Sequence, residues 1–412
     1  MKHMKLNLSL ITAFAGILIC TASAFSQSKV YNIYAGNTHS HTQYTESHGA
    51  HLGKVAGAAK FMDIDSNGVG RAINSPMKPD WQKHQGLPSV HFDLAKANGY
   101  DFFITTDHSQ EAGFYPTSPT NPQWIAAHDQ AKKATDKNFV ALTGYEHSEN
   151  NGPGNGKGHF NVINSAAYLN ALEKGVDIQS FYKWVGTAKA YNNEGPVVAT
   201  FNHPDPKSYD SFAFRDAKVT DVITMMEMIN SNKNIHYAAF LTALNLGWKI
   251  SPVAGNDNHG TEAISKHTSR TFVLAESKSK LDILNAMKNR RTYAALDQNI
   301  QCRYSVNGQI MGSTLTKASE FKFDVQISDP DAGNSRDMIT KVEILKDNGV
   351  VVETFEPTPA HSVKWNPVIK DTTSKYFFIR VYNAGGSDSE GADAKPNPAK
   401  PIAWLAPVWT GR

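Results

Sequence analysis

What most constrains this chain is an alternation: from residue 28 to about 300, short β-rich apolar runs take turns with segments of helical periodicity. Strands are expected at residues 30–35, 101–106, 139–143, 197–201, 222–226, 250–254 and 271–275, and helices at 122–135, 178–190, 235–246 and 280–289. A strand that is apolar throughout must be covered on both faces, and crossover helices supply that cover, so the pattern predicts a mostly parallel α/β sheet or barrel. After Cys302 the period changes. Phe321, Phe323, Val325 and Ile327 alternate strictly, Asn307-Gly308 and Asn348-Gly349 are hairpin turn signals, and 376–382 reads as another strand. Residues 303–412 are therefore expected to form a small antiparallel β-sandwich, following a first domain over 28–302.

Lys2 and Lys5 precede an apolar run that ends at Cys20, and Thr21-Ala22-Ser23-Ala24 has the small-x-small form of a cleavage site. Residues 1–24 are read as an export signal, which predicts a periplasmic or extracellular protein with no membrane span. Beyond this leader Cys302 stands alone, so no intrachain disulfide is expected. Lysine plus arginine (41) exceeds aspartate plus glutamate (38) by 3, and two of those lysines lie in the leader. Nothing in that balance calls for nucleic acid or an anionic membrane as partner. Oligomeric state is not legible in the sequence.

The chemistry lies in where the histidines stand. His39 and His41 follow the first predicted strand, Asp107 and His108 the second, Glu146 the third, His203 the fourth, and Asp257 and His259 follow the run at 250–254. In a βα barrel the carboxyl ends of the strands meet on one face, so these side chains converge there. Imidazole and carboxylate suit zinc, manganese or iron, and so many ligands exceed the needs of one ion. A cluster of two or three divalent metals is expected. For His51, His84, His91, His128, His236, His267 and His361 an ordinary solvated or hydrogen-bonded role is preferred.

Gly36-Asn37-Thr38-His39-Ser40-His41-Thr42, Thr105-Thr106-Asp107-His108, Gly144-Tyr145-Glu146, Asn202-His203-Pro204 and Asp257-Asn258-His259 together resemble, in order, the motifs of the PHP (polymerase and histidinol phosphatase) superfamily of metal-dependent phosphoesterases. The segment Arg290-Arg291-Thr292-Tyr293-Ala294 is similar to an exported branch that includes carbaryl-hydrolase-like enzymes. The resemblance implies a distorted (β/α)7 PHP-type barrel with up to three metals. It implies that His39, His41, Glu146 and Asp257 hold one ion, and that Glu146 bridges to a second held by His159 and His203. It gives His108 and His259 a third, completed by Glu46 or His48, which stand near where relatives place an aspartate. A hydroxide bridging the first two ions is the expected nucleophile. Asp107 is a candidate for proton transfer or ligand orientation and Arg291 for substrate binding.

The expected activity is hydrolysis of a small-molecule phosphate ester. Two alternatives stay open: a carboxylic ester, amide or carbamate hydrolase on the same metals, and a non-catalytic surface protein that the metals merely stabilise. Asp63-Ile64-Asp65-Ser66-Asn67-Gly68 begins like a calcium loop but has Asn74 where a bidentate Glu belongs. The glycine-rich stretch 152–158 reads as a swing between Glu146 and His159, and 46–90 as a lid over the metals. Trp404 and Trp409 are read as core.

Overall fold

Six of the expected runs and one further segment become the strands that carry the site: β1 (Asn32–Asn37), β2 (Phe102–His108), β3 (Val140–Glu149), β4 (Gly158–Ile163), β5 (Val198–Asn202), β6 (Ile223–Asn230) and β7 (Ser251–Gly255). The structure is a computed structural model that describes residues 1, 29–46, 62–64, 70–72, 78–79, 84–149, 157–386 and 397–412. The export signal, His48, most of the glycine-rich stretch, most of the lid and most of the calcium-like loop lie outside the described residues. Residues Tyr31–Arg412 form one compact unit.

The seven strands pair in the order β7-β6-β5-β4-β3-β2-β1. Every pairing is parallel except the two made by β4, which runs against β3 and β5. Strands β2 and β6 are buried at every position, as expected where both faces are covered. Main-chain bonds join the two ends of this array. The His41 amide donates to the Asn258 carbonyl (2.9 Å), the Asp257 amide to the His39 carbonyl (3.0 Å), and Ser40 bridges Asn258 in parallel. On the other side of the same segment, the Thr106 amide donates to the Ser40 carbonyl (2.8 Å).

Strand β4 was not expected, although Phe160 and Val162 are buried while His159, at its exposed end, leans out. The alternation Phe160/Val162 against His159/Asn161 is the signal that marks it. Helix α1 (Pro88–Ala97), also unexpected, hides behind a proline-bearing stretch; its Pro88 occupies the first turn, where no amide partner is lost. Helices α2 (Pro122–Ala134), α3 (Ile178–Val185), α4 (Tyr237–Asn245) and α5 (Lys280–Lys288) fall in the expected segments. Asn121 caps α2, and Asp177 with Ser180 forms a capping box on α3. Helix α3 stops at Val185, five residues earlier than periodicity suggests, because Gly186 follows.

Beyond β1 the large sheet continues antiparallel through β8 (Arg270–Ala275) and β9 (Thr292–Ala295). The remaining chain supplies β10 (Gln301–Val306), β11 (Glu320–Ser328), β12 (Ile339–Lys346), β13 (Val350–Phe355), β14 (Ser362–Trp365), β15 (Tyr376–Asn383) and β16 (Ala403–Leu405). Strand β16 pairs with β9, and β15, β12 and β13 follow, so the large sheet runs on across residue 302. Strands β10, β11 and β14 form a second, antiparallel sheet. The alternating Phe321, Phe323, Val325 and Ile327 share one apolar cluster with Ile344 and Phe377 of the large sheet. Trp404 and Trp409 are buried in a core cluster, and Cys302 is a buried thiol whose pKa burial pushes up. No helix among the described residues is long and apolar enough to cross a membrane.

Candidate metal centre

The segment 38–41 is extended and held between two neighbours, so residues 39 and 41 present their side chains to the same face. His39 and His41 are fully buried, and their Nε2 atoms lie 3.0 Å apart. Two imidazole nitrogens aimed at each other need a proton or a cation between them. Glu146, near the end of β3, reaches both: Oε1 is 3.4 Å from His39 Nε2 and Oε2 is 3.4 Å from His41 Nε2. Asp257 Oδ1 lies 3.2 Å from His41 Nε2 and 3.4 Å from His39 Nε2.

From the other side of Glu146, His159 Nδ1 approaches Oε1 at 3.2 Å and His203 Nε2 at 3.4 Å. The reversed direction of β4 puts His159 at this rim, since the amino end of an antiparallel strand lies beside the carboxyl ends of its neighbours. His41 stacks against His259 (centroids 4.1 Å) and His108 (4.4 Å). Three groups thus have ligand atoms mutually within 4.8 Å: His39, His41 and Glu146; Glu146, His159 and His203; and His41, His108 and His259. Glu146 is common to two of them and His41 to two.

The field inside the cluster is strong and mixed. Burial alone would strip His39 of its proton, but Asp257, Glu146 and Glu227 outweigh that and hold its pKa well above the usual imidazole range. His41 and His203 are likewise raised to about 9, burial being outweighed by the Asp257 and Glu146 carboxylates. Burial opposes ionisation of Glu146 and Asp257, yet the surrounding imidazoles hold both well below the usual carboxylate range. Such a set, drawn inward and short of cations, fits divalent transition metals in ligand type and burial.

Supporting residues explain why the rings point inward. Glu227 of β6, fully buried, accepts from His39 Nδ1 through Oε1 (2.8 Å) and from the His203 amide through Oε2 (2.7 Å). That leaves His39 Nε2 unprotonated and facing the cluster when a cation is present. Gly255 makes the approach possible: a Cβ there would stand 1.9 Å from Glu227 Oε1. Gln85 donates to the His41 carbonyl (3.3 Å) and accepts from His91 Nε2 (2.7 Å), while His91 Nδ1 meets the Ser40 hydroxyl (3.3 Å). His91 is a buried neutral imidazole, its pKa pushed down to about 3 by burial and by His41. Glu227 and Gln85 escape sequence reasoning because neither stands at a strand end beside a histidine. His203 (φ 31°) and Asp257 (φ 47°) both occupy the left-handed region, unusual for side chains other than glycine and common at functional sites.

Asp107, Glu46 and Arg291 are not members of these three groups. The Asp107 carboxylate is spent on a turn: it accepts from the Thr42 and Thr45 amides (2.6 and 3.1 Å) and from both hydroxyls (2.8 and 2.9 Å). It thereby fixes Thr45, whose hydroxyl meets His41 Nδ1 (3.1 Å). Glu46, half-buried, ends the described part of this turn. Arg291 is not brought to the cluster. Its Nε donates to the Leu274 carbonyl and its guanidinium covers the Tyr31 ring at 4.7 Å; Leu274 pairs with Ile33, at the far end of β1 from His39.

No family model matches this chain, and no curated protein matches it. Among solved structures, a two-domain protein from Bacteroides vulgatus containing a predicted PHP-like metal-dependent phosphoesterase is 16% identical; the match covers 92% of this chain and 95% of that one, with a TM-score of 0.43. A protein from Bifidobacterium adolescentis described as a candidate metal-dependent phosphoesterase is 12% identical over 43% of this chain and 84% of that one, with a TM-score of 0.27. Both neighbours are thus described as metal-dependent phosphoesterases, one of them as PHP-like. With so loose a superposition neither neighbour carries weight for the chemistry, which rests on the cluster's own side chains.

Proposed function

We propose that this chain is an exported, metal-dependent hydrolase of phosphate esters, built as a distorted seven-stranded βα barrel of the PHP type followed by a β-sandwich. The observation that carries the proposal is Glu146, a single buried carboxylate shared by two groups of imidazoles. His39, His41, Glu146 and Asp257 would hold one divalent ion, Glu146, His159 and His203 a second, and His108 and His259, with His41 alongside, a third. Bound there, such ions supply an acidified water and positive charge for a transferring oxyanion. Glu227 and Asp107 keep the imidazoles in place through His39 and Thr45. Residues 1–24 support export.

A pocket of about 650 Å³ is lined by Tyr44, Tyr115, Pro116, Asn121 and Gln123 among others, and among the described residues no charged side chain lines it. Tyr44 belongs to the turn that Asp107 pins, next to Thr45, whose hydroxyl meets His41 Nδ1, so the pocket is linked to the cluster through that turn. That lining supports an uncharged, aryl-bearing leaving group. The test is a parallel assay of metal-loaded protein on aryl phosphates, aryl phosphodiesters and aryl carboxylic esters. Turnover of the phosphates, lost in Glu146→Ala, is expected. Turnover of carboxylic esters alone would overturn the phosphoesterase reading, and the absence of turnover with every metal would overturn the enzyme reading.

A further inference from the structure

A second oxygen-rich site lies far along the chain, in the loop that joins β11 to β12. Asp329, Asp331 and Asp337 offer carboxylate oxygens that all lie within 4.8 Å of one another. Three carboxylates gathered in nine residues repel one another unless a cation joins them. Among the described residues no lysine or arginine forms an ion pair with any of the three.

The independent observation is Asp329 itself. It is 4% exposed, and while Oδ1 accepts the Asp331 amide (2.9 Å), Oδ2 is buried and has no hydrogen-bond partner among the described residues. Burying a carboxylate oxygen without a donor costs free energy that a cation would return. The loop is also firmly placed: the Asp329 amide donates to the His361 carbonyl (2.8 Å), and the Asn334 side chain accepts from the Arg336 amide and donates to Asp337 Oδ2 (2.6 Å). The carboxylates therefore face one another by construction. A fourth acid, Asp297, adds to the negative field, since its own carboxyl is raised by burial and then by Asp337 and Asp331.

From this geometry we infer that Asp329, Asp331 and Asp337 form a calcium site, separate from the imidazole cluster. The donors are all oxygen, with no imidazole or thiolate in the group, which selects a hard cation over the metals suited to the histidine centre. Calcium takes six to eight oxygens in a flexible shell, so three carboxylates on one loop leave room for carbonyls and water, whereas magnesium demands a near-ideal octahedron. The site would pin the β11–β12 crossing without touching the chemistry of the cluster, and it stands whether or not the hydrolase proposal does.

The experiment uses the full chain with its histidine cluster first loaded with zinc. Calcium titration by calorimetry should show one additional ion per chain, with a Kd on the order of 10⁻⁴–10⁻³ M for a small oxygen loop, and should raise Tm. Asp331→Asn, an exposed position, should weaken this binding about tenfold or more because charge count tunes calcium affinity, with zinc content and hydrolysis unchanged. Asp329→Asn should abolish the calcium-dependent rise in Tm, provided its own Tm shows it is folded. Absence of binding up to about 10 mM calcium, well above that affinity range, would overturn the inference. So would binding that persists unchanged in Asp331→Asn, or an equal shift with magnesium.

Discussion

Glu227→Gln is the sharpest probe of the centre. The side chain faces donors on both oxygens: His39 Nδ1 on Oε1, and the His203 amide and Asn230 Nδ2 on Oε2. A glutamine can satisfy only one side. If its oxygen faces His39, its amide group meets the His203 N–H donor to donor. If its oxygen faces His203, its amide must donate to His39 Nδ1, which forces the His39 proton onto Nε2, the atom aimed into the cluster. Either way one buried donor is left unmet or a ligand takes the wrong tautomer, at a cost of about 1–3 kcal/mol. At about 1.4 kcal/mol per tenfold, that predicts metal binding weakened roughly 5- to 140-fold, which spans the roughly 10- to 100-fold lost when partners of metal-bound histidines are removed. Chelator competition with zinc and with manganese gives the affinity, and kcat/KM on the best substrate is followed in parallel. A Tm close to the parent's in the metal-free state separates this effect from unfolding. Metal affinity within about twofold of the parent, roughly 0.4 kcal/mol, would refute the reasoning.

Metal uptake should release protons. His39, His41 and His203 are raised in the metal-free centre, the last two to about 9, and only neutral imidazole binds a metal. Affinity should therefore climb with pH until about 9, and calorimetry at pH 7 in buffers of different ionisation enthalpy should register released protons; none would contradict the cluster's charge state. His128, buried against Tyr191 with its pKa lowered to about 3 by burial and then by Lys280, acts in the opposite sense. The unfolded chain takes up that proton first, so stability is full above about 6.5, the unfolded value, and falls as pH drops towards 3. His128→Phe should flatten that slope in denaturant titrations. Asp329 is raised to about 6 by burial and then by neighbouring aspartates. Here the folded state takes up the proton first, so calcium-free protein should gain stability relative to Asp329→Asn as pH falls from above 6 to below 4, and saturating calcium should erase the gain. Gly255→Ala should mimic Glu227→Gln, because its methyl displaces the Glu227 carboxylate; wild-type metal affinity in that variant would show the contact is not needed.

The sequence marked most of the candidates: His39, His41, His108, Glu146, His203, Asp257 and His259 each follow or border an apolar run, and local periodicity marks the end of such a run. It also showed the change from mixed to strictly alternating pattern after Cys302. What joins those positions is set by packing between distant parts of the chain. The reversal of β4 that brings His159 to the rim, the reach of Glu227 from β6 to His39, and the Gly255 gap that admits it all depend on pairing between strands remote in the chain. Arg291 shows the same limit: adjacency to a motif says nothing of where a side chain turns, and it covers a tyrosine at the opposite end of β1, while Asp107 holds the turn that sets Thr45 beside His41. The three aspartates of the β11–β12 loop carry no such mark; folding buries one of them with an oxygen that no donor among the described residues satisfies.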